Sequence, residues 1–240
     1  MSFLLDLLCA ALMILLIVVV GRRPVSSALL TMASLLAALP AAFFLSLAVS
    51  LPAADVLVAP LVEKRAANDL ADLFSAPYLK TGRETVAGLD FTQLLESRPE
   101  AFVNRVEKYG ADIEEAAAAY REGGSAALLE AVTRGYCRAL SRAAVFLAAY
   151  LLLAFLFRFI CRRIENNLPP PPKQRLSRRV GSFAAAAVCA VTAVMALGVV
   201  LEAAIPYLEH GSVIFSTDAL RGSVIYEYLN RINPFVQLYK

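Results

Sequence analysis

The stretch VSSALLTMASLLAALPAAFFLSLAVSL, residues 25–51, carries no charged side chain from Val25 to Leu51. A helix that is apolar on every face has no side to turn towards water. About 20 residues of helix cross the ~30 Å hydrocarbon core of a bilayer. This run is longer than that, so as a membrane span it must tilt, or kink where Pro40 removes a backbone donor.

Three further apolar runs flank it: residues 3–20, residues 143–160 with Arg158 near the end, and residues 180–201. Apolar residues make up 59% of the 240-residue chain and charged ones 18%. Mean hydropathy is +0.64. A soluble domain is nearer half apolar and a quarter charged. The pattern predicts an all-α integral membrane protein with four transmembrane helices and a helical extracytoplasmic insertion. The first run is expected to stay in the protein as a span, because a signal peptide needs bases before its apolar stretch. Here Asp6 comes early, and Arg22 and Arg23 come after the run.

The short connections set the expected orientation. Gly21-Arg22-Arg23-Pro24 joins the first two runs. The segment 161–179 joins the last two and holds Arg162, Arg163, Lys173, Arg175, Arg178 and Arg179 against one acid, Glu165. By the positive-inside rule both face the cytoplasm, so both termini are extracytoplasmic. Pro169 to Pro172 make the second loop a stiff spacer or, alternatively, a ligand for proline-reading domains. The organisation expected is then residues 1–51 as spans one and two, and 52–142 as the outer helical domain. Residues 143–206 hold spans three and four around the basic loop, and 207–240 form an outer tail. In that tail Pro206 ends or kinks the fourth helix, residues 223–230 make a short helix, and Pro234 stops it.

Within residues 52–142 the apolar positions recur at helical spacing. Val62, Ala66, Leu70 and Leu73 share one face, and Phe102, Val106, Tyr109, Ile113 and Tyr120 form a second stripe. Asp90 reads as a helix cap with Gln93 reaching back. Ser97-Arg-Pro-Glu100 reads as a capping box. Gly123-Gly124 should break the chain, with Ser125 capping a helix that buries Leu128, Leu129, Val132, Tyr136 and Leu140. Nothing after Tyr136 interrupts that helix, so it is expected to run on into the third span.

Residues with obvious chemistry are scarce. His210 is the only histidine, so a triad or a histidine-based metal site cannot be assembled in one chain. Cys9, Cys137, Cys161 and Cys189 form no C-x-x-C pair and read as small apolar fillers. No phosphate-binding or nucleophile-elbow motif occurs, and a net charge of +3 does not point to nucleic acid. No enzyme, cofactor or metal is therefore expected. The remaining candidates are Asp6 and Glu202, both near the outer ends of spans, together with Arg22 and Arg23 at the inner rim. An acid inside a membrane suggests an ion-linked role, whereas one at the interface can be an ordinary solvated residue. Gly181, Ala185 and Gly198 belong to a run of small residues in the fourth span. Such runs let helices approach closely, within the chain or against a second copy in a homo-oligomer.

Asp6, then Gly21-Arg22-Arg23 before a long second span, Arg175-Leu-Ser-Arg-Arg-Val-Gly181 leading into a small-residue span, and the closing Gly222 to Phe235 segment together resemble the colicin V production (CvpA) family. The likeness covers the two membrane halves and the tail. Short members of that family leave little between spans two and three, so residues 52–142 depart from them. The resemblance implies a multi-pass protein of the bacterial cytoplasmic membrane that supports toxin production, export or envelope upkeep, with the lipid bilayer and envelope proteins as partners. It supplies no catalytic residues. The alternative expectation is a small transporter or channel subunit.

Overall fold

The computed structural model describes residues 2–167, 176–208 and 222–237. Among them every regular element is helical, and four helices are long and apolar enough to cross a membrane. The chain is thus an all-α multi-pass membrane protein. In order, α1 spans Ser2–Gly21 and α2 Val25–Ala53, which continues through Pro40. A π-helical turn at Ala54–Val58 follows, then α3 (Ala59–Ala71). Pro60 sits at the start of α3 and has no N–H to return to the preceding turn, where the wider turn lies. The short helices are α4 (Gly82–Val86), α5 (Thr92–Ser97) and α6 (Glu100–Glu107). Then come α7 (Ile113–Asn166), α8 (Leu176–Leu208), α9 (Val224–Arg231) and α10 (Pro234–Gln237).

The chain folds as two compact units, one holding Val49–Arg142 with the end of α8 from Pro206, the other the remainder of the spans and the described tail. In the span unit α8 is the central helix: 56% of its apolar window is buried, against 17% for α1. Its small side chains explain this. Ala185, Ala186 and Cys189 pack against Val20 and Ala28, while Ala196 and Val199 meet Leu39, Phe43, Phe146 and Tyr150. Lipid tails are as apolar as these residues, so close packing rather than burial from water drives the contact. Some hydroxyls inside the spans return to their own helices, as Ser34 does to the Leu30 carbonyl (2.7 Å) and Thr192 to that of Val188 (2.8 Å), while Ser182 donates to the Arg23 carbonyl (3.0 Å). Large residues such as Ile14, Phe44, Leu152 and Phe155 remain exposed and suit a hydrocarbon surround.

The 49–142 unit has its own core. Val62, Ala66 and Leu70 of α3 pack with Val86, Phe91, Phe102, Val106, Leu128, Leu129 and Val132. Gly82 allows α4 to lie directly on α3, because a Cβ there would stand 2.5 Å from the Glu63 carbonyl oxygen. At Gly124 the backbone leaves helical geometry (φ 68°, ψ −158°), and α7 then continues to Asn166. Tyr136 therefore passes into the third span without a break, as its sequence suggested.

Several local expectations change. The stripe from Phe102 to Tyr120 is not one helix, because Gly110 takes φ +68° between α6 and α7. Ser97 caps nothing: it closes α5, where its hydroxyl donates to the Gln93 carbonyl (2.7 Å). Pro99 occupies the cap position of α6 and offers no side-chain bond. The capping box stands instead at Thr81, whose side chain accepts from the Glu84 N–H (3.2 Å) while Glu84 accepts from the Thr81 N–H (3.4 Å). Asp90 accepts from the N–H and hydroxyl of Thr92 and from the Tyr120 hydroxyl, but it stands one residue before the cap position of α5, which Phe91 holds without a side-chain bond. The helical parts of 161–179 shorten that loop from both sides, and Pro169 to Pro172, Lys173, Arg175 and His210 lie outside the described residues. Pro206 does not end α8, and Pro234 opens α10 rather than stopping a helix.

Two outcomes follow from these caps. Thr81→Ala should cost about 1 kcal/mol locally and speed hydrogen exchange of the 82–86 amides about fivefold, while Ser97→Ala leaves the α6 amides unchanged. The opposite ordering would return the cap to Ser97. The hydrogen bonds from Thr92, and then from Tyr120, hold the Asp90 carboxyl below the usual carboxylate range. The stabilisation is present above the unfolded-state value and is lost as pH falls through the lower folded value. Protection of the α5 amides should therefore decline only in acid, and Asp90→Asn should flatten that dependence.

Candidate functional site

The polar groups of the span unit gather where the tail returns to the helices. Asp6 lies within the first two turns of α1, in a run whose neighbours are Leu4, Leu5, Leu7 and Leu8. A carboxylate there needs donors. The tail supplies them: Asp6 Oδ1 accepts from the Ser223 hydroxyl (2.6 Å) and the Ile225 N–H (2.9 Å), and Oδ2 accepts from the Val224 N–H (3.3 Å). These are free donors at the start of α9, and a negative charge there also meets the positive end of the helix dipole. Ser223 in turn accepts from the Tyr226 N–H (3.2 Å).

Glu202 sits near the other end of the same helix. Its Oε1 accepts from Asn230 Nδ2 at 2.6 Å. Asn233, fully buried, donates to the Met195 carbonyl within α8 (2.9 Å) and accepts from the Phe235 N–H (3.2 Å). Tyr226 and Leu229 pack with Leu5, Cys9 and Val194, while Val236 joins the Phe43 and Phe146 cluster. The tail is thus built into the bundle rather than standing free of it.

Gly198 belongs to this site. A Cβ on it would come 2.9 Å from Asn230 Oδ1 and 3.5 Å from Asn233 Nδ2. Its small size serves the tail, not another span. Ala185 is buried against the α1 and α2 ends, and a Cβ on Gly181 would make ordinary contact with Val25 (3.6 Å). Gly21, read from sequence as part of the first connection and not as a packing residue, needs its size more: a Cβ there would meet the Phe183 ring at 2.7 Å. Arg22 is exposed, and Arg23 donates to the Thr31 hydroxyl (3.4 Å). The structure therefore joins Asp6, Glu202 and Gly198 through the tail and leaves Arg22 and Arg23 at the far end of α1.

Sequence reasoning missed Ser223, Tyr226, Asn230 and Asn233. A signal was present. Residues 226, 230 and 233 recur at helical spacing on the face that carries Leu229, while Glu227 and Arg231 pair on the exposed side (2.6 Å). Elsewhere, the 49–142 unit holds an open cavity of about 760 Å³. Two of its acids are matched to bases, Glu63 with Arg83 (3.3 Å) and Glu130 with Arg134 (3.0 Å). Among the described residues no cluster of three His, Cys, Asp or Glu side chains is placed to hold a metal, and Cys9, Cys137, Cys161 and Cys189 are free thiols. No family model, curated protein or solved structure matches the chain.

Asp6→Asn keeps the shape but removes the charge and one acceptor. It should raise hydrogen exchange at Val224 and Ile225 about fivefold, the loss expected of a helix cap. Gly198→Ala should loosen the whole 224–236 segment while α1 and α8 keep their protection. Unchanged exchange in both variants would mean that the tail does not depend on these contacts.

Proposed function

We propose that this chain is a non-enzymatic membrane protein that works through protein contacts made by its 49–142 unit. Following its resemblance to the colicin V production family, the setting is the bacterial cytoplasmic membrane, with both termini outside. The role is support of toxin production, export or envelope upkeep. One observation carries the reading. The two acids that a conducting path would need, Asp6 and Glu202, are both engaged by the tail. An ion path requires groups that can exchange partners with a passing ion. A carboxylate already holding a helix start is poorly suited to that. The 49–142 unit, by contrast, has a core of its own and presents exposed apolar side chains such as Tyr78 and Leu79.

Flux measurement separates this from the transporter reading. Proteoliposomes should conduct protons and potassium no faster than empty vesicles. A flux that Glu202→Gln abolishes would replace the contact role with a channel. Orientation is checked separately, in a chain whose native cysteines are replaced by Ala. An impermeant thiol reagent applied to intact cells should label Glu96→Cys and spare Asn167→Cys. The reverse pattern would invert the topology.

A further inference from the structure

We propose that the arginine-bearing end of the bundle is a binding site for the phosphate of an anionic phospholipid, held between Arg158 of α7 and Arg23 beside α2. Both guanidiniums converge on one turn of α2. Arg158 Nη2 donates to the Ser27 hydroxyl at 2.9 Å. Arg23 Nη1 donates to the Thr31 hydroxyl at 3.4 Å, and that hydroxyl donates onward to the Ser27 carbonyl at 2.7 Å. Two cations brought to the same turn repel each other unless an anion lies between them.

The protein supplies little of that anion. Among the described residues Glu165, at 3.7 Å, is the one acid paired with Arg158, and Arg23 has no acidic partner. Arg162, Arg163 and Arg179 add further positive charge at this end. Arg158 is also incompletely satisfied. Its Nη1 is buried and has no hydrogen-bond acceptor among the described residues. A guanidinium has five donors in a planar fork, and phosphate oxygens match that fork in pairs.

The position selects a lipid over a free anion. Arg158 lies inside the apolar run of the third span, flanked by Phe155 and Phe159, which are 76% and 52% exposed. The rest of the Arg158 side chain is 21% exposed, so a phosphate drawn to it from the bilayer keeps its acyl chains in hydrocarbon beside α7. A free ion would have to leave water to reach the same side chain. Basic clusters between spans are suited to anionic headgroups for this reason. The inference does not depend on which leaflet this end occupies, nor on the contact role proposed above.

Native mass spectrometry of the delipidated full chain tests it, with phosphatidylglycerol, phosphatidylcholine and inorganic phosphate titrated separately. Phosphatidylglycerol should bind at least about fivefold more tightly than phosphatidylcholine, and Arg158→Gln and Arg23→Gln should each remove about fivefold of that affinity. Binding of phosphatidylcholine should not change, and Arg134→Gln in the other unit should behave as wild type. Should Arg158→Gln fail to insert, Arg23→Gln gives the same reading. Equal binding of the two lipids, or arginine variants that hold phosphatidylglycerol as wild type does, would overturn the proposal. Displacement of phosphatidylglycerol by inorganic phosphate would also overturn it, making this a site for a free oxyanion.

Discussion

Within a bilayer core there is no water to complete an unfinished hydrogen bond, so each polar group near a span must find its partner in the protein. Asp6 shows how far that constraint reaches. Its carboxylate stands among leucines and requires donors, and the uncovered N–H groups at the start of α9 are donors without partners of their own. Each satisfies the other. Once that junction is made, Tyr226 and Leu229 are delivered to Leu5, Cys9 and Val194, and Asn230 is brought to Glu202. The tail's place in the bundle follows from one acid placed early in α1.

The second requirement is room. Asn233 reaches a backbone carbonyl of α8, and Asn230 lies over Gly198. Helix backbones are accessible to a neighbour only where side chains are short. The small residues of α8 therefore serve two kinds of contact at once. Ala185, Ala186 and Cys189 admit the ends of α1 and α2, while Gly198 admits the tail. This also accounts for the central position of α8. A helix of leucines would hold its neighbours too far away for amide side chains to bond its carbonyls.

The spans were legible because their signal is long: residues 25–51 without charge have no soluble interpretation. The continuous α7 was legible for the same reason, since no Gly or Pro follows Tyr136 before the third run. What failed was short-range. The pattern of Ser or Thr followed three residues later by Glu occurs at both Thr81 and Ser97, and only backbone direction decides which begins a helix. The stripe through Tyr109 and Ile113 keeps its spacing across Gly110, so periodicity alone passed over a turn. The tail was read only as an outer segment with one short helix, with no contact to the bundle assigned to its residues. The distribution of side chains around α9 carried the information, with Tyr226, Leu229 and Asn230 turned to the bundle and the Glu227–Arg231 pair outward. Asp6 and Glu202 were singled out as unusual acids, yet the sequence does not reveal that Asp6 has its partner more than two hundred residues away.

The two ends of the bundle treat charge in opposite ways. At the tail end the acids are matched by groups the chain itself provides: N–H donors, a hydroxyl and an amide. At the other end bases accumulate, and among the described residues a single acid, Glu165, pairs with Arg158. Internal matching keeps an acid from needing anything outside the protein, and it fixes a segment in place. Unmatched bases do the reverse: they leave attraction to be met by what surrounds them. A helix of α1's 20 residues is about 30 Å long, comparable to the hydrocarbon core, so these two regimes fall at its two borders. The same asymmetry that makes one end self-contained makes the other depend on its membrane.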